Sequence, residues 1–369
     1  MRRATFQSIR PSGWRSLAFG GAVVVVLLSG CASFGPGTIG RDRLDYDHAV
    51  TESWKQQLLL NLVKLRYGDA PMFLDVASII NSYTLEAQVN VGKTWMSGGM
   101  GDSTAVGGLG HYADKPTITY SPMLGERFVR SLMTPIPPGV VLSLLQAGWE
   151  ADAVFRVMVS SINGIQNRWG AAGPRARGAD PDFYRLTAAL RRAQGTGAVG
   201  MRIEKTKDQE WTMLTIPPEN GPPDIAESSL TIRKILGINP EARELRVVYG
   251  SGRKSNDEVS MITRSMLEIL VDTASTIEVP AAHAEEGRTY QTAVFDTDGP
   301  GGYQPLMRIR SGQEKPGDAF SAVYYRGHWF WVEDKDYRTK SFHSLLLILM
   351  SLTDTSPAKG APIVTIPAG

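Results

Sequence analysis

The five histidines, His48, His111, His283, His328 and His343, show no metal-ligand spacing. His328 opens the aromatic run Trp329-Phe330-Trp331 and reads as a strand residue beside a turn. His343 adjoins an apolar helix face and reads as a border residue. Ala87-x-x-x-x-Gly92-Lys93-Thr94 fits a permissive phosphate-loop pattern, but such a loop needs flexible glycines whose amides wrap the phosphates and then a helix. Here the residues between alternate like a strand, and Trp95 and a glycine-rich stretch follow. Gly98-Gly99-Met100-Gly101-Asp102 and Asp296-Thr297-Asp298-Gly299 are fragments of calcium loops without the repeat or the later ligands a site requires. Neither a Gly-x-Ser-x-Gly elbow nor a His-Glu-x-x-His pair occurs. A Ser–His–Asp triad built from distant residues is defined by geometry and stays open at this level. The expectation is no catalytic residue, no cofactor-binding residue, no metal ligand and no cofactor.

One residue does carry legible chemistry. Cys31 is the single cysteine of the chain. Before it come Arg2, Arg3, Arg10 and Arg15 with no acidic residue, then the apolar run from Leu17 to Leu28. That run is too short to cross a bilayer as a helix, which takes ~20 residues, and suits the h-region of a secretory signal peptide. Leu28-Ser29-Gly30-Cys31 then resembles the lipobox of bacterial lipoprotein precursors. The resemblance covers residues 1–31 alone. It implies cleavage before Cys31 and lipid on its sulfur, and Ala32-Ser33 after it implies release to the outer membrane. Three acyl chains exceed the two signals that stable anchoring takes.

Cleavage alters the charge balance. The precursor carries 39 basic and 37 acidic side chains; losing four arginines leaves 35 against 37, a formal −2. No basic patch then argues for nucleic acid. With its one thiol on lipid, the mature body holds no disulfide and no thiolate site. A composition 42% apolar and 21% charged is that of a globular body with a core.

The elements follow from periodicity. Val50, Trp54, Leu58, Leu62 and Leu65 predict a helix from Val50 to Tyr67, stopped by Gly68 and Pro71. Strict alternation from Tyr83 to Trp95 predicts a half-buried strand, Ser97–Gly110 a glycine-rich hairpin tip, and Pro116–Tyr120 the returning strand. Helices are expected after Ser121-Pro122 and from Val140 to Ala147, and a strand from Val154 to Val159. Asp180-Pro181 opens another helix, and a hairpin runs from Val199 to Ile216, turning near Lys207-Asp208. Beyond the proline-rich loop at 217–223, Leu245–Tyr249 reads as a strand. Ser255-x-x-Glu258 reads as a capping box for a helix with Val259, Ile262, Met266 and Ile269 on one face. Near the end, a hairpin turns at Arg326-Gly327, Asp334–Arg338 mixes charges ahead of a helix through Phe342 and Leu349, and Ile363–Ile366 is a last strand.

Helices and strands do not alternate strictly, so the expected fold is α+β: a mixed, largely antiparallel sheet with packed helices, in two lobes. The expected organisation is a signal peptide at 1–30, a lipidated flexible tether at 31–44, an N-terminal lobe at 45–170 and a C-terminal lobe at 180–369. Treated as a coil, the 13 tether residues from Ala32 to Leu44 would reach about 20 Å. The functional expectation is a lipid-anchored outer-membrane lipoprotein facing the periplasm, with a non-enzymatic interaction or structural role. The alternative is a membrane-anchored periplasmic hydrolase of cell wall, glycan or ester. Its partners would be the membrane, through lipid on Cys31, and an envelope protein.

Overall fold

The computed structural model describes residues 39–80, 83–94, 103–114, 117–171, 176–197, 199–205, 210–216, 222–295 and 304–353. The chain divides into two compact units, Met1–Trp54 and Lys55–Gly369. Helix α1 (Ile39–Arg66) begins in the first and ends in the second. In the first unit none of its residues from Gly40 to Trp54 is buried, and Leu44 and Trp54 are exposed. Residues 39–44, expected as flexible tether, are therefore helical; no proline or glycine run interrupts them. In the second unit the expected stripe is buried at Leu58 and Leu62, beside Leu59 and Val63.

The second unit is α+β with mostly antiparallel sheets and one mixed sheet. β1 (Leu74–Ile80) pairs with β4 (Thr117–Pro122), and the hairpin β2 (Tyr83–Thr94) with β3 (Ser103–Asp114) is nested between them. A short helix α2 (Gly125–Phe128) widens into a π-helical turn at Val129–Met133, and α3 (Pro138–Gln146) and α4 (Ala151–Met158) follow.

The central six-stranded sheet has the order β6-β5-β10-β9-β8-β7. Its strands are β5 (Val159–Ile162), β6 (Ile165–Gln166), β7 (Gly200–Lys205), β8 (Glu210–Thr215), β9 (Glu244–Tyr249) and β10 (Glu258–Thr263). Only β9 and β10 run parallel. Helices α5 (Pro181–Gly195) and α6 (Pro223–Leu236) pack on each other, α4 packs on α5, and α3 lies across β7, β8 and β9. Then come α7 (Met266–Ala274), α8 (Ala281–Glu285), the sheet β11-β13-β12 and α9 (Tyr337–Thr353). In that sheet β11 is Arg310–Gly312, β12 Ala319–Tyr325 and β13 His328–Glu333.

Several expectations need correction. Residues 170–180 do not separate two lobes: β5 lies before them and β10 after, yet the two strands pair, and one apolar core runs from Leu58 to Leu349. The segment even carries a β-bridge, Trp169 with Arg177. Residues 154–158 are helical. Ala151, Val154, Phe155 and Met158 form a buried helical face, and a short apolar run does not distinguish that from a strand. Residues 258–263 are a strand, buried at five of six positions, so no helix starts after Ser255. The capping box stands ten residues on, where Ser265 Oγ accepts from Glu268 N (3.2 Å) and the Glu268 carboxylate accepts from Ser265 N (2.7 Å). Finally, Ser103–Gly110 is strand rather than hairpin tip, and β4, the expected partner of β2, pairs with β1 instead. Helix α6 follows Pro222-Pro223, where only a proline-rich loop was expected. Asp180 sits at the N-cap position of α5, but its carboxylate accepts from Gln166 N (2.7 Å) instead of capping the helix.

The signal peptide with Cys31, the turn at 207–208, residues 98–102, 217–218 and 296–299, and the strand at 363–366 lie outside the described residues.

Candidate functional site

Two polar constellations stand out. The first gathers at the C-terminal end of α1. Gly68, at φ 76°, turns the chain out of the helix, and Gly68 N and Asp69 N donate to Leu65 O and Lys64 O. This sets Tyr67 inward, 7% exposed, and places Asp69 immediately beyond the cap. Opposite, β12 and β13 join through Arg326 (φ 48°) and Gly327 (φ 85°), a two-residue turn whose positive φ values match the strand twist. That turn delivers Tyr325 and Arg326 to one carboxylate. The Tyr325 hydroxyl and Arg326 Nη2 (2.9 Å) both donate to Asp69 Oδ2. The Arg326 guanidinium also lies 5.3 Å from the Tyr67 ring centre.

His283 closes the cluster from α8. Its Nδ1 is 2.7 Å from the Tyr67 hydroxyl, and its ring stands edge-on to His328 at 4.8 Å between centroids. Which member of the Tyr67–His283 bond donates depends on the imidazole tautomer. Burial, then the neighbouring His328, pushes His283 below the ordinary histidine value, and burial pushes Tyr67 up, so both stay neutral near pH 7. The hydrogen bonds from Tyr325 and Arg326 hold Asp69 below the usual carboxylate range. Burial and the bond to Asp69 push Tyr325 up. The same segment is fastened to α1 by Arg66, which donates to the carbonyls of Ile277, Tyr290 and Gln291, and by Thr289, whose hydroxyl donates to Arg66 O.

Chemically, this is a tie between three elements. The partner of His283 is a phenol rather than a serine hydroxyl, and the one carboxylate is neutralised by an arginine. Among the described residues, no group of three or more His, Cys, Asp or Glu side chains could hold a metal ion.

The second constellation is buried. Arg264, 1% exposed, donates to Asp272 Oδ2 (3.1 Å) and to the carbonyls of Arg156, Val157 and Arg168. Asp272 Oδ1 also accepts from Gly170 N (2.7 Å) and faces Arg168 Nη2 at 3.4 Å. Arg264 lies 5.2 Å from the Trp169 ring centre. Asp272 on α7 thereby holds the chain at Arg168 and Gly170. The cavity beside this network, lined by Arg168, Asp272 and Phe342 among others, has a volume of about 20 Å³. That holds a water molecule but no substrate.

The residues weighed from sequence are not brought together. His48 is exposed on α1 and His111 on β3. His328 is the first residue of β13, as a strand residue beside a turn. His343 is not a border residue: it is fully buried, edge-on to Phe320 at 5.4 Å. Gly92-Lys93-Thr94 ends strand β2, and the residues that follow it directly lie outside the described residues. In the mixed-charge run, Asp334 pairs with Lys340, and Asp336 accepts from Thr339 N (3.0 Å) to cap α9. Spacing could not reveal the Tyr67–His283 and Arg264–Asp272 groups, though Gly68 and Arg326-Gly327 marked the turns that form the first.

The chain matches no known protein-family model, no curated protein and no solved structure.

Proposed function

We propose that the protein is a lipid-anchored lipoprotein of the outer membrane, facing the periplasm, with a non-enzymatic interaction or structural role. The observation that carries this reading is Leu28-Ser29-Gly30-Cys31 behind a basic n-region and an apolar run, every part in the order a lipoprotein precursor needs. No helix among the described residues is long and apolar enough to cross a membrane. In both polar constellations the carboxylate is paired with an arginine, Asp69 with Arg326 and Asp272 with Arg264, as in structural ties.

Intact mass of the protein in separated inner and outer membrane fractions tests the proposal. The outer-membrane form should begin at Cys31 and carry the added acyl mass. Cys31→Ala should accumulate as unprocessed precursor, because no other thiol can accept lipid. A wild-type protein that is soluble and cleaved elsewhere sinks the reading.

A further inference from the structure

Between Leu74 and Pro122 the chain runs out and back as nested antiparallel pairs. β1 pairs with β4 from Leu74↔Pro122 to Ile80↔Thr117, and β2 with β3 from Tyr83↔Asp114 to Thr94↔Ser103. The β2–β3 register is unbroken over 12 pairs. Among the described residues neither strand has a second neighbour, so each leaves one row of backbone N–H and C=O groups unmatched by another strand. The base of the ribbon is open as well: Thr117, Ile118, Thr119 and Tyr120 on β4 are all exposed, though alternate residues there belong to opposite faces.

Residues paired across two strands share a face, and every second pair shares that face again. One face of the hairpin takes Leu85 with Tyr112, Ala87 with Gly110, Val89 with Gly108 and Val91 with Val106. No charge falls inside that stretch. Asp114, paired with Tyr83, and Lys93, paired with Thr104, bracket it at its two ends. The opposite face carries Glu86 with His111, Gln88 and Asn90, with Leu109 as its exposed apolar exception. A hairpin that served only to extend the body into water would have no use for an apolar stretch closed at both ends by charge.

The dimensions match a lipid bilayer. A strand that crosses the hydrocarbon core takes about 9–11 residues when tilted, and each strand here has 12. One-sided alternation over about ten residues is the pattern of strands in membrane barrels, with the apolar side outward. A terminal lysine on that side can extend its charge to the headgroups. The glycines of β3 at 107, 108 and 110 suit a strand that must curve into a closed wall.

We infer that this hairpin is a membrane-spanning module: several copies of the chain pair edge to edge through β2 and β3 and close a β-barrel across the outer membrane. The apolar face meets lipid and the Glu86–His111 face lines the lumen. A lone hairpin cannot insert, because its unmatched backbone groups would lie in hydrocarbon with no water to receive them. A second copy supplies the missing row on each edge, and only ring closure removes the last free edge. Two strands per copy give the even strand number of such barrels, and four copies reach the smallest, of about eight strands. The inference rests on the envelope placement proposed above, with the lipid at Cys31 holding each copy at the leaflet.

The test uses the full-length lipidated protein, purified in detergent, sized by native mass spectrometry and reconstituted into planar phospholipid bilayers. Four or more copies per particle and discrete conductance steps are expected. Val89→Arg, on the lipid-facing side, should lower the frequency of steps at least tenfold while leaving the urea midpoint of the body unchanged. Gln88→Arg, one residue away on the lumen side, should keep the steps and shift their selectivity toward anions. Lipidated wild-type protein that stays monomeric and gives no conductance overturns the barrel while leaving the anchor standing, and so do equal effects of the two arginine variants. A wild-type mass without lipid fails the anchoring proposal instead, and conductance steps from that protein would still uphold the barrel.

Discussion

At the scale of single residues, the two buried polar groups behave differently because one is ionised and one is neutral. Asp272 is the carboxylate paired with Arg264, whose guanidinium is almost wholly removed from water. Removing one partner of a buried ion pair leaves the other charge uncompensated, at a cost of about 3–5 kcal/mol. Asp272→Ala should destabilise the fold by roughly that amount, and a urea midpoint within error of wild type would mean that water reaches Arg264. His283 is neutral in the fold because burial and His328 depress its pKa. The unfolded chain then binds a proton that the folded chain refuses, so unfolding takes up protons and acid favours it. This contribution is complete above the unfolded histidine value, about 6.5, and is lost as pH falls below it toward the depressed folded value. Urea midpoints should drop more between about pH 7.5 and about pH 5.5 in wild type than in His283→Gln. Equal drops would assign the acid sensitivity to other groups.

At the scale of elements, local signals competed and packing chose among them. Ser255-x-x-Glu258 and Ser265-x-x-Glu268 are the same capping pattern, ten residues apart. Only the second is used, because the intervening residues Glu258–Thr263 are drawn into the central sheet between β5 and β9. In the first, Glu258 accepts from Arg246 and Lys254 N instead, and the Ser255 hydroxyl accepts only a long bond from Asp257 N (3.3 Å). Ser265→Ala should therefore cost about 1 kcal/mol. Ser255→Ala should move the midpoint by less than about 0.5 kcal/mol, as surface changes do. The reverse ranking would place the functional cap in the wrong box. The hairpin at Arg326-Gly327 was legible because its turn chemistry is local: two positive φ values are required and glycine fills one of them.

At the scale of the whole molecule, β5 pairs with β10 across about a hundred residues, so the body from Lys55 onward is one folding unit. The β2–β3 hairpin is paired strand on strand along its whole length. Replacing residues 81–116 by a short Asn-Gly turn between Ile80 and Thr117 should leave the body folded. The expected change in unfolding free energy is below about 1 kcal/mol, since loop length alone contributes little. Unfolding of the shortened chain should remain a single transition, with calorimetric and van't Hoff enthalpies in agreement. A loss of several kcal/mol would show that the hairpin packs into the fold.

The residues themselves determined whatever depends on neighbours along the chain. The lipobox-like segment, the amphipathic stripe at Leu58 and Leu62, the type of turn at Arg326-Gly327 and the alternation from Tyr83 to Val91 are all short-range patterns, readable without a partner. The α+β class followed from the same patterns, because element types can be tallied without knowing what they touch. Which strand pairs with which could not be read this way. Hydrogen-bond rows do not name their partners, so β4 was assigned to β2 when it belongs to β1, and Gly107, Gly108 and Gly110 read as loop until the register with β2 placed them in a strand. The same holds for Tyr67 and His283, 216 positions apart, and for Arg264 and Arg168. Tertiary packing alone decided these contacts, because burial acts on surfaces that only the closed fold brings together.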